Sequence, residues 1–174
     1  MSAIHATSSQ DLLALYLNDH LLGASGGVEL FRRAARGQSG DAARTRLEVL
    51  TRDVEQDRDA LVDLMKQLDV RPARHRVALG WLGEKVGRLK LNGSLLSRTP
   101  LTDLVELEYL RLGVEGKLAG WEAVEVAAGA DHRIDLARVE ELQQRAKDQL
   151  EALEELRREA ARHAFAGRSE GPQK

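Results

Sequence analysis

The stretch LEVLTRDVEQDRDALVDLMKQL, residues 47–68, places Leu47, Leu50, Val54, Leu61, Leu64 and Leu68 at alternating steps of three and four. That spacing lines apolar side chains along one stripe of an α-helix, the seam of a packed bundle. Asp57 is the one polar interruption of the stripe. A second stretch, VEELQQRAKDQLEALEELRREA at 139–160, repeats the register at a constant offset of 92: Val139 answers Leu47, Leu142 answers Leu50, and Gln149 answers Asp57. Two helices with one seam pattern imply two related hairpins.

Working outward, the partner helices also match, at an offset of 90. Leu22-Gly23-x-x-Gly26 with Phe31 stands against Leu112-Gly113-x-x-Gly116 with Trp121. Caps then bound the helices. Ser8 with Asp11 forms a capping box that opens the first, expected over 9–36. The second, 41–69, is expected to stop at Arg71-Pro72, because a residue before proline avoids the α region. A third, shorter helix is expected over 73–91, ending at Asn92-Gly93. Thr99-Pro100 supplies the N-cap and first residue of a fourth, 100–128, and a fifth follows Asp131 over 132–165, leaving a polar tail at 166–174. Alternating β-branched stretches of the kind a sheet requires are missing. The reading is one all-α domain. Since 73–91 is nearly long enough to traverse the bundle, the second and fourth helices should run parallel across a long crossover.

Composition narrows the function classes. The 174 residues carry a net charge of -2 and no cysteine, which excludes disulfides, thiolate catalysis and Cys-ligated zinc. The start MSAIHATSSQD lacks a basic segment followed by an apolar run, and no apolar stretch approaches a membrane span, so a cytoplasmic protein is expected. Neither a phosphate-binding glycine loop after a strand, nor Gly-x-Ser-x-Gly, nor a kinase or zincin motif occurs. Aromatic residues make up only 3%, too few for a base-stacking platform.

Two hairpins, a long crossover and a pseudo-twofold repeat resemble the ferritin-like superfamily. The resemblance covers nearly the whole chain and rests on architecture. It implies a carboxylate-bridged di-iron or di-manganese centre, with a Glu from each of two helices and Glu-x-x-His from the other two. This chain departs from that pattern. Three positions before His5, His20, His75, His132 and His163 stand Ser2, Leu17, Pro72, Gly129 and Ala160, so Glu-x-x-His is absent. The helices that should carry it offer Glu55-x-x-Arg58 and Gln149, and an arginine is no metal ligand. The chain thus resembles most closely uncharacterised bacterial ferritin-like proteins without the di-metal motifs, and no cofactor is expected.

Polar residues on core faces are then the informative ones. Asp57 and Gln149 interrupt equivalent layers, His20 falls within the arc of Tyr16, Ala24, Gly27 and Phe31, and Glu106 and Lys117 occupy the corresponding arc of the fourth helix. Meeting near mid-bundle, these five form the candidate binding site, with Lys117 held by Asp57 and Glu106 and supplying the charge a metal would supply. Catalytic residues and metal ligands are not assigned. A second anomaly is Gly23, Gly26, Gly27, Gly113, Gly116 and Gly120 inside two helices, each costing about 1 kcal/mol relative to alanine. Close packing on a second face, as at Gly116, is the expected cause: the helix over 73–91 would cover one glycine face, and the symmetry of the repeat, self-association or a protein partner the other, with room for a ligand as the alternative.

Three functional readings follow. The first is a non-enzymatic binding or scaffold protein on a metal-free ferritin-like bundle. A second is a metal-dependent oxidoreductase with an irregular site made from His20, Asp57 and Glu106. The third uses the basic flank and helix around 71–98, with Arg71, Arg74, Arg76, Lys85, Arg88, Lys90 and Arg98, to bind an anionic surface. The composition disfavours nucleic acid and membrane, and the first reading requires no additional motif.

Overall fold

The computed structural model describes residues 8–38, 40–73 and 99–166, and these build four long helices with no strand among them. They are α1 (Ser9–Gly37), α2 (Asp41–Gln67), α3 (Pro100–Ala128) and α4 (Leu136–Phe165). The helix expected over 73–91, most of the basic stretch and the tail beyond 166 lie outside the described residues.

Local signals account for the boundaries. At the start of α1, Ser8 Oγ accepts from Asp11 N–H at 3.1 Å, and Asp11 Oδ2 accepts from Ser8 N–H at 3.2 Å, the expected capping box. Pro100 is the first residue of α3, and Thr102 Oγ1 accepts from Thr99 N–H at 3.3 Å.

Two boundaries differ from expectation. The second helix ends at Gln67, ahead of the proline. Asp69 adopts a left-handed φ of 57°, the Val70 N–H donates to Met65 O at 2.8 Å, and the Asp69 N–H donates to Lys66 O at 3.1 Å. These bonds form a Schellman motif in which an aspartate fills the place usually taken by glycine. The last helix begins at Leu136, capped by Asp135 (Arg138 N–H to Oδ1, 3.3 Å), because Asp131 closes a turn of its own on Arg133. Those Arg133 hydrogen bonds hold the Asp131 carboxyl down to about 2.

Cross-helix bonds fix the directions. Asn18 takes the Ala73 N–H at 2.6 Å while Arg32 meets Glu55, so α1 and α2 are antiparallel. Arg33 meets Glu106 and His20 abuts Gly120, so α1 and α3 are antiparallel too. Gln143 bonds Glu125 and Arg157 lies near Glu108, which sets α4 against α3. The helices α2 and α3 therefore run parallel, with the end of α2 and the start of α3 at opposite ends of the bundle.

The seam on α2 is buried throughout, from Leu47 at 0% exposure to Leu64 at 7%, and so is that on α4 from Val139 to Leu156. Full burial of a leucine stabilises by about 1.5–3 kcal/mol relative to exposure. The core has two parts. One gathers Phe31, Leu47, Val54, Leu107, Val114 and Leu153; the other gathers Leu17, Leu61, Met65, Trp121 and Leu142. Asp57, Lys117 and Gln149 lie at the division.

Candidate functional site: a polar layer beside a glycine-lined cavity

Each of α2, α3 and α4 contributes one member of the polar layer. Heptad position, the same property that buries leucine one turn away, turns Asp57 inward on α2, where it is 2% exposed. Gln149 holds the equivalent position on α4 at 4%. From α3, the Lys117 ammonium donates to Asp57 Oδ2 at 2.5 Å and to Gln149 Oε1. Gln149 closes the triangle by donating from Nε2 to Asp57 Oδ2 at 2.9 Å. Arg145 NH2 stands 3.0 Å from Asp57 Oδ1. Its N–H bonds go instead to Asp53 O (3.2 Å) and Gln56 Oε1 (3.3 Å), so the Asp57 contact is Coulombic rather than directed.

Burial pushes the Lys117 ammonium below its ordinary pKa, and Asp57 opposes that shift. An ammonium carries three donors. Two are used here, and no further acceptor among the described residues meets the third.

Lys117 also lines a cavity of about 340 Å³ between α1, α2 and α3. Its wall is mostly apolar, with Phe31, Leu61, Val114 and Trp121 beside the glycines. Among the described residues, no atom lies within 4 Å of a Cβ built at Gly23, Gly27, Gly113 or Gly116. The described helices thus do not pack against these four glycines and leave volume there; the helix expected over 73–91, one candidate to cover them, lies outside the described residues. Gly120 is the exception, since a Cβ there would come within 2.8 Å of the His20 ring. That imidazole lies 4.4 Å from the Tyr16 ring, and partial burial lowers its pKa against the opposing charge of Asp19.

Of the five residues expected to meet, Asp57, Lys117 and Gln149 do, and His20 faces the same cavity. Glu106 does not join them: it accepts from Arg33 NH2 at 3.1 Å, so the expected hold of Glu106 on Lys117 is replaced by a link between α1 and α3. The reason is height along the helix. Glu106 and Lys117 share an arc but are eleven residues apart, about 16 Å at ~1.5 Å per residue. Arg145 was not anticipated, although it precedes Gln149 by four residues and so shares its face.

The arrangement does not suit a di-metal centre. A lysine ammonium occupies the space between the carboxylate and the amide, and its positive charge repels a cation. Among the described residues no three His, Cys, Asp or Glu side chains are grouped to hold a metal ion, so His20, Asp57 and Glu106 do not form a ligand set. No described helix is long and apolar enough to cross a membrane. What the site offers is an apolar hollow with one spare charged donor in its wall. Compared with known proteins, the chain matches no family model, no curated protein and no solved structure.

Proposed function

We propose that this protein is a non-enzymatic binding protein for a small apolar molecule, built on a ferritin-like bundle whose middle layer carries a buried ion pair where relatives of that architecture carry metal. The observation that carries this reading is the cavity between α1, α2 and α3. At about 340 Å³ it falls within the ~300–1,000 Å³ typical of small-molecule sites, and it combines an apolar wall with few polar groups. The glycines supply the second support. Helix interiors pay about 1 kcal/mol for each glycine relative to alanine, and at Gly23, Gly27, Gly113 and Gly116 no neighbouring atom of the described residues explains that cost. A requirement for volume explains it.

The test uses a neutral fluorescent apolar probe, N-phenyl-1-naphthylamine, titrated into the full chain. Saturable binding of one probe per chain is expected. Gly116→Leu fills the hollow without touching the Asp57–Lys117–Gln149 triangle, and is expected to abolish probe binding while helix content and melting temperature are kept. Absent binding by the wild-type chain, or equal binding by Gly116→Leu, would refute the reading.

A further inference from the structure

We infer that the ligand is a monoanionic amphiphile, an apolar body ending in a carboxylate that takes the third N–H of Lys117. The inference rests on the cavity being a binding site and adds the chemistry of what it binds. Three observations converge on it.

The first is donor count. Lys117 directs two N–H groups to Asp57 and Gln149 and has no acceptor for the third among the described residues, although its side chain is only 15% exposed. A buried donor left unpaired is costly, and an acceptor in the cavity removes that cost. The second is charge. Within the layer, two cations, Lys117 and Arg145, lie against the single buried carboxylate of Asp57, which is 1% exposed. Asp53, partly exposed, lines a separate groove with Arg145 and Gln149, and its charge also favours the Lys117 ammonium. Lys117 lines the cavity and Arg145 does not, so the buried charge a ligand meets there is the Lys117 ammonium beside Asp57.

The third is the remainder of the wall. Arg58 lines the cavity and bonds the exposed Asp59 at its edge. His20 is held toward its neutral form by burial, so it brings no competing charge and can share a hydrogen bond with a carboxylate. Asp19, beside His20, is the wall's one other carboxylate; it is exposed, and water screens it. A neutral ligand would fill the apolar space and leave the ammonium donor unused. A cationic ligand would place like charge against Lys117.

The experiment displaces bound N-phenyl-1-naphthylamine with decanoate, decanol and decylammonium, each below its micellar concentration. Decanoate is expected to compete at least tenfold more tightly than decanol, with decylammonium the weakest. In Lys117→Met the decanoate-to-decanol ratio should fall to about one. Should that variant fail to fold, Lys117→Gln gives a second arm, because a neutral amide can still donate to Asp57 but lacks the charge, and it too should lower the ratio. Taking ratios within each variant cancels changes in cavity shape. Probe binding with decanol equal to or tighter than decanoate, or a ratio unmoved by either substitution, overturns the carboxylate assignment and leaves the cavity reading standing. No probe binding at all overturns both.

Discussion

Gly116 and Gly120 stand one turn apart on α3, and their surroundings are opposite. A methyl at Gly116 would meet no atom of the described residues within 4 Å; at Gly120 it would come within 2.8 Å of the His20 imidazole. Helical glycines thus serve two purposes within one turn, volume at one and close approach at the other. Lys117 lies between them and joins the open side to the buried Asp57. What separates the two positions is the His20 ring, which α1 sets against Gly120 and not against Gly116.

The largest expected effect tests the residue between them. Lys117→Met removes the main partner of a carboxylate that is 1% exposed, and breaking such a pair costs about 3–5 kcal/mol. Because Arg145 stays near Asp57, the loss should fall near about 3 kcal/mol by urea denaturation, and pairing it with Asp57→Leu should recover most of it. Full stability in the single variant would mean that water, not Lys117, satisfies Asp57.

A smaller effect separates the two glycines directly. Gly116→Ala should raise stability by just under about 1 kcal/mol, the helix-propensity gain with no clash. Gly120→Ala gains the same propensity but meets the His20 ring, where overpacking costs about 1–3 kcal/mol, so a net loss of about 1 kcal/mol is expected. His20→Ala should relieve that loss in a double-mutant cycle. Equal changes at both glycines would erase the distinction.

The smallest effect belongs to His20 itself. Its folded pKa lies below 6.5, so just below pH 6.5 the unfolded chain takes up a proton that the folded chain does not. Stability should therefore decrease as pH falls from 6.5 to the folded value, and level off beneath it. His20→Gln should remove that slope from the denaturation midpoint measured against pH; an unchanged slope would place His20 in water.

Much of this was legible in the sequence, for physical reasons that can be named. The 47–68 and 139–156 seams proved buried because heptad spacing dictates which side of a helix faces a neighbour. The constant offset of 92 was realised as a hydrogen bond, Gln149 to Asp57, since equivalent heights on packed hairpins meet. Lys117 found Asp57 because a buried carboxylate requires a cation. Glu106 was misassigned because angular position carries no information about height. The glycines could not be resolved from periodicity: a small residue leaves space, and only the opposite helix decides whether it is filled. Asp69 escaped because a left-handed cap is read from glycine or asparagine, and aspartate occupies that conformation less often.

The division of the core has a mechanical consequence. All four helices run unbroken through both hydrophobic clusters, so neither cluster can open unless the rods between them yield. The rods α1 and α3 are weakest at Gly23, Gly27, Gly113 and Gly116, beside the hollow. The bundle therefore has a compliant waist between two stiff ends, and amide hydrogens at that waist should exchange with solvent sooner than those of the seams above and below it. A guest molecule seated there would splint the waist, making a single cooperative rod bundle of what is otherwise two blocks in series.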